Sequence, residues 1–301
     1  MEEVPLRFEG RPARLRAEGS PGPTVLFAHP FPLDGTCWDE LLPACAAQGF
    51  RAAAVDAPGF GGTPPFGRPC TMDDLARLLA AALDALGART AALVGCSMGG
   101  YALMAFWRLF PERMERAGLL CTQPGADSPE AKQKREQQAR AALENGPEAV
   151  TAPLAERMTA PGSPLVSRVR ELARSATAQG IADALRGMAL RPDSTPDLPR
   201  SRARALVACG EQDQLIPRAA CDTLARNIPG ARQAVVAGAG HLAFLEKPAE
   251  SARRAALALL LTLDPRGPGR YEGTPPERRR LTWPRRSRSS ICAFPCTRTS
   301  R

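Results

Sequence analysis

Gly95-Cys96-Ser97-Met98-Gly99 follows a continuous apolar run, Ala91 to Gly95, and opens a helical pattern from Gly99 to Phe110. A serine at such a strand-to-helix turn is forced into strained backbone angles, and its hydroxyl is presented at the carboxyl end of the strand. Gly95, Gly99 and Gly100 remove side chains that would collide with the neighbouring strand and helix. The helix N-terminus behind Ser97 offers N–H groups and a favourable dipole to an oxyanion. These are the requirements of a nucleophilic serine. A serine hydroxyl is a weak nucleophile and needs a base, and the chain has two histidines. His241 lies in the flexible loop Ala237-Gly238-Ala239-Gly240-His241 after the last apolar strand, whereas His29 ends an early strand and precedes Pro30. His241 is the expected base; His29 is expected to shape the loop that carries Phe31. The orienting carboxylate is expected from Gly210-Glu211-Gln212-Asp213, where Asp213 is preferred and Glu211 is its rival. Asp127, after another strand, is a third position for the acid.

The elements that must position these groups alternate. Arg14–Glu18, Thr24–His29, Phe50–Asp56, Ala91–Gly95 and Ala117–Thr122 read as strands. Trp38–Gln48, a segment opened by Thr71 and ended by Gly87, and Gly99–Phe110 read as the helices between them. Strict alternation implies right-handed crossovers and a mostly parallel, doubly wound sheet with helices on both faces. From Pro124 to Pro199 only helical segments are expected, opened by Ser128-Pro129, Gly146-Pro147 and Ser163-Pro164, with a last helix at Gln179–Leu190. Alternation resumes with strand Ala203–Cys209, helix Arg218–Asn227, strand Gln233–Ala237 and a closing helix from Pro248 to Leu263. The implied organisation is an α/β core at residues 1–123 and 200–264, a helical lid insertion at 124–199 and a disordered basic tail at 265–301.

The formal charge of +9 suggests a nucleic-acid or membrane-surface protein. Its distribution argues otherwise. Ten arginines and two acids lie beyond Asp264, so the tail carries +8 and residues 1–264 only +1; a nucleic-acid partner is not expected. Nine cysteines, an odd number without a C-x-x-C pair, read as reduced thiols of a cytoplasmic protein rather than as a disulfide framework or zinc site. Neither a signal peptide nor a transmembrane span of roughly 18 apolar residues is recognisable.

Taken together, Ser97, Asp213 and His241 in that order make residues 5–264 resemble the α/β-hydrolase fold superfamily, in its serine esterase and enol-lactonase branch. His29-Pro30-Phe31-Pro32-Leu33-Asp34 is similar to the family's oxyanion loop. Asp56-Ala57-Pro58-Gly59-Phe60-Gly61 is similar to its D-x-x-G-x-G turn, with Thr63 in place of the commoner serine. Arg191-Pro192-Asp193 and Glu246-Lys247-Pro248 belong to the same likeness. The resemblance implies oxyanion N–H donors at Phe31 and Met98. Pro30 replaces the usual glycine, which stiffens the loop and leaves the next residue as donor. It further implies hydrolysis of small carboxylic esters or lactones through an acyl-enzyme, without metal or organic cofactor. Relatives that open epoxides or remove halides carry aspartate at the elbow. A perhydrolase, a carbon–carbon bond hydrolase and a weakly catalytic ligand-binding signalling protein are the alternatives that the same residues allow. No Phe, Trp or Tyr occurs between Phe110 and Phe244, so the lid is expected to present aliphatic side chains to a small-molecule substrate.

Overall fold

A computed structural model describes residues 1–248. The expected closing helix beyond Pro248, the core boundary at 264 and the basic tail lie outside the described residues. Among the described residues, eight strands form one sheet in the order β1-β2-β4-β3-β5-β6-β7-β8. They are β1 (Glu2–Phe8), β2 (Arg11–Glu18), β3 (Thr24–Ala28), β4 (Arg51–Val55), β5 (Ala91–Cys96), β6 (Met114–Leu120), β7 (Arg204–Gly210) and β8 (Arg232–Val236). From β4 through β8 every pairing is parallel, with Phe27 opposite Val94 and Val94 opposite Gly118. The central strands β3 and β5 are buried along their whole length, as continuous apolar runs between two helical layers should be.

Strand β1 is absent from the sequence reading. It pairs antiparallel with β2 across the two-residue turn Glu9-Gly10, in which both residues have positive φ (48° and 75°), the geometry that suits a tight hairpin. Its charged, half-exposed sequence gives little apolar alternation to read.

The helices of the first half are α1 (Leu41–Ala46), α2 (Met72–Ala85) and α3 (Met98–Leu109). Thr71 caps α2 in a reciprocal box with Asp74. The expected helix at Trp38–Gln48 is instead two pieces, a 3-10 turn at Gly35–Trp38 capped by Asp34 and then α1. Pro43 sits early in α1, where its missing N–H costs nothing. Leu26, Leu93 and Leu119 share one core with Leu75 and Leu79 of α2 and Leu103 and Phe106 of α3. On the opposite face Phe27 packs on Trp38, which stacks on Phe244 at 4.0 Å.

Between β6 and β7 lie α4 (Pro129–Asn145), α5 (Glu148–Met158), α6 (Val166–Leu172) and α7 (Ala178–Ala189), with no strand among them. Ser128 caps α4 with Pro129 in its first turn, as read from the sequence. At the other two proline pairs the helix starts later: Pro147 is itself the cap of α5, and α6 begins at Val166. After β7, α8 (Arg218–Asn227) leads to β8, and the short α9 (Ala243–Glu246) follows the loop of His241. Among the described residues no helix is long and apolar enough to cross a membrane.

Candidate active site

Ser97 joins β5 to α3 with φ 53° and ψ −113°, a conformation that side chains rarely adopt. Three hydrogen bonds hold it there. Its N–H donates to Leu120 O at 2.9 Å, and its carbonyl accepts from Thr122 Oγ1 at 2.9 Å and Tyr101 N at 3.1 Å. The flanking glycines are required by space. A Cβ on Gly95 would lie 2.5 Å from the Gly99 carbonyl, one on Gly99 2.2 Å from Ala28 O, and one on Gly100 2.5 Å from Thr122 Oγ1. Met98 opens α3, so its N–H is among those that have no partner inside the helix.

His241 is buried and follows β8 at the same sheet edge. Its Nδ1 lies 2.9 Å from Asp213 Oδ2 and 3.1 Å from Oδ1. Asp213 Oδ1 also accepts from the backbone of Leu215 (2.8 Å) and Ile216 (3.0 Å). Burial alone would push this carboxyl up. The His241 bond and charge and those two N–H groups outweigh it and hold the carboxyl below its ordinary value. An ionised Asp213 keeps the imidazole proton on Nδ1 and leaves Nε2 as the acceptor. The Cys96 thiol donates to the His241 carbonyl at 3.8 Å, which brings the histidine loop against the residue preceding Ser97.

The two other acids read from the sequence are engaged elsewhere. Glu211 is exposed and accepts from Gly238 N at 2.8 Å. Asp127 pairs with Arg135 and, at 2.7 Å, with the buried Arg191, whose guanidinium lies 4.2 Å over the Tyr101 ring. Spacing could not separate these carboxylates from Asp213, because all three follow strands at the same sheet edge.

His29 is buried; its Nε2 accepts from Ala57 N at 2.9 Å and its Nδ1 faces Pro30 O at 3.1 Å. These bonds tie the end of β3 to the turn after β4. Phe31 stands in the loop that follows, before a cis peptide to Pro32, with Leu33 N donating to Pro30 O at 2.9 Å. Phe60 packs edge-on against both His29 and Phe31. Buried Asp56 braces the same region, accepting from Gly35 N at 2.7 Å and Gly62 N at 2.9 Å.

Glu246 receives no role from the sequence, although its motif is noticeable. One oxygen accepts from Gly240 N at 2.6 Å and the other from Ala160 N at 3.0 Å. Among the described residues the metal-donor types converge at Cys121, Asp213 and His241, with ligand atoms within 4.8 Å of one another. The carboxylate and imidazole of this group already satisfy each other.

Residues 23–248 match the profile of the alpha/beta hydrolase fold. The chain belongs to the α/β hydrolase fold family. It is similar to a thermophilic esterase from Thermogutta terrifontis at 32% identity and TM-score 0.78, over 84% of this chain and 95% of that one. It is 29% identical over 252 residues to the dihydrolipoyllysine-residue acetyltransferase component of the acetoin cleaving system of Cupriavidus necator, covering 79% of this chain and 64% of that one. Over 103 residues, 34% of this chain, it is 32% identical to the bifunctional epoxide hydrolase 2 of Sus scrofa, of whose length it spans 19%. Both sequence relatives are thus longer than the stretch this α/β hydrolase shares with them.

Proposed function

We propose that this α/β hydrolase cleaves small carboxylic esters or lactones with Ser97 as nucleophile, His241 as general base and Asp213 as the carboxylate that orients it. The observation that carries the reading is the buried Asp213–His241 pair at the edge where the strained Ser97 turn ends. His241 Nε2 takes the Ser97 hydroxyl proton as the oxygen attacks the acyl carbon. The tetrahedral oxyanion is held by the N–H groups of Phe31 and Met98, and the alkoxide leaves with the proton that His241 returns. Water then enters by the same route in reverse and releases the acid. No step calls for a metal or an organic cofactor. In this reading the helices between β6 and β7 form a lid over the acyl pocket. The likeness to an esterase supports the substrate class. Serine at the elbow favours acyl carbon over the epoxide of the Sus scrofa relative.

A fluorophosphonate probe followed by peptide mapping tests the reading. Ser97 is expected to carry the adduct, and Ser97→Ala is expected to lose both the adduct and turnover of a short-chain p-nitrophenyl ester. Turnover retained by a folded Ser97→Ala protein would refute it.

A further inference from the structure

The loop that presents Phe31 is held at its far end by the helical insertion. Asp34 is buried and accepts from Thr36 N through Oδ1 at 2.8 Å, capping the 3-10 turn at Gly35–Trp38. Its other oxygen, Oδ2, accepts from Ser175 Oγ at 2.5 Å. Ser175 belongs to the 3-10 turn Ala173–Ser175 between α6 and α7, more than a hundred residues away in the chain. The same hydroxyl oxygen accepts from Gly61 N at 3.2 Å. One side chain of the insertion therefore bridges the loop after β3 and the turn after β4. Neighbouring contacts seat α7 on that turn. Thr177 N donates to Gly59 O at 3.0 Å, and Gly59 and Gly180 approach so closely that a Cβ on Gly59 would lie 2.1 Å from Gly180 Cα. Among the described residues, Ser175 is the insertion side chain that hydrogen-bonds residues 29–36.

We infer that Ser175 is a positioning residue: by fixing Asp34 it holds the Phe31 N–H at the oxyanion, so that the loop is set for catalysis only while the insertion is seated. The inference rests on the reading of Ser97 and Phe31 above. Its physical basis is the buried carboxylate. Burial pushes the Asp34 carboxyl up, but the hydrogen bonds from Ser175 and Thr36 outweigh it and hold the group ionised. Charge-assisted bonds of this kind are short and strong. Without Ser175, Oδ2 loses its hydroxyl donor in a buried setting, which is costly enough to move the loop toward water. A displaced donor weakens the bond to the transition state and leaves ground-state binding unchanged.

The test compares Ser175→Ala, Ser175→Thr and Gln179→Ala in the full chain. Gln179→Ala removes a different insertion bond, to Asp183 Oδ1 at 2.7 Å, that does not reach the loop. Ser175→Ala is expected to lower kcat for a p-nitrophenyl ester about tenfold with KM within about twofold, a modest misplacement of one group. Amide exchange is expected to quicken within residues 29–38. Ser175→Thr, which keeps the hydroxyl, and Gln179→Ala are expected to keep kcat near the parent value. The inference is overturned if Ser175→Ala keeps its kcat, if Ser175→Thr is as slow as Ser175→Ala, or if Gln179→Ala slows equally. Fluorophosphonate labelling of the parent separates the two failures. Ser97 labelled with an unimpaired Ser175→Ala removes only the positioning role, whereas an unlabelled Ser97 removes the catalytic reading beneath it.

Discussion

Replacing Ser97 with glycine should make the protein more stable while abolishing its activity. At φ 53° and ψ −113° the residue lies outside the left-handed well as well as the ordinary ones, and the three hydrogen bonds to Leu120, Thr122 and Tyr101 prevent it from relaxing. Such a conformation costs a non-glycine residue about 1–3 kcal/mol. Glycine removes that cost and returns about 0.4–1 kcal/mol of it through the greater freedom of its unfolded chain. The difference spans about 0–2.6 kcal/mol and centres on about 1.3 kcal/mol, or roughly 3–5 °C in Tm for a domain of this size. Ser97→Ala supplies the reference. It removes the same hydroxyl, which makes no capping bond in α3, yet keeps a Cβ and hence the strain. Thermal and urea unfolding of the two inactive variants, followed by circular dichroism, should place Ser97→Gly above Ser97→Ala by that margin. Coincident unfolding curves would refute the argument that the elbow stores backbone strain.

Asp213→Asn should lower ester turnover about 10⁴-fold through loss of the correct His241 tautomer, measured as kcat on the p-nitrophenyl substrate. Because the folded carboxyl is held below the ordinary value of 3.8, its contribution to stability is complete above that value and is lost as pH falls through the lower folded one. Urea midpoints of Asp213→Asn should therefore decline less steeply with acid than those of the parent between about pH 5 and 2. Gly95→Ala should destabilise by about 1–3 kcal/mol, since its Cβ meets the Gly99 backbone at 2.5 Å, where nothing flexible can yield; thermal unfolding reads this directly. Asp127→Ala strands the buried Arg191 guanidinium and should cost about 3–5 kcal/mol. Ser97 should still take the fluorophosphonate at temperatures where that variant remains folded, which distinguishes a structural acid from a triad member.

Those features of the site that depend on neighbours in sequence were legible in the chain alone. The elbow is encoded by glycines two residues either side of Ser97, and Thr71 announces the start of α2 through its own cap. The order of serine, acid and histidine was visible because each follows an apolar strand. Asp213 is preferred to Glu211 and Asp127 on the sequence alone, but which carboxylate meets His241 depends on which loop folds back on it. Asp127 is claimed by Arg191, sixty-four positions later, and only three-dimensional proximity reveals that pairing. Strand β1 escaped notice because an edge strand buries few of its side chains. The break between Trp38 and Leu41 follows from Asp34 capping a short turn, a competition that apolar periodicity does not register. Ser175 had no local signal at all. Its partners are recruited from two distant turns, and nothing in the surrounding Ala-Arg-Ser-Ala separates it from an ordinary loop serine.

The junction between the histidine loop and the helical insertion is made largely on main-chain atoms of the insertion. Leu242 N donates to Met158 O at 2.9 Å, Glu246 receives Ala160 N, and Gly240 lies flat against Thr159 and Ala160. Contacts of this type read the path of the chain and are indifferent to its side chains. Evolution or a protein engineer can therefore change side chains around this junction without breaking its contacts with the loop of His241, provided the new segment passes positions 158–160 along the same course. Shortening or lengthening the chain there would move His241 even if Ser97 and Asp213 were kept. At positions 158–160 the insertion is constrained in trajectory more than in composition.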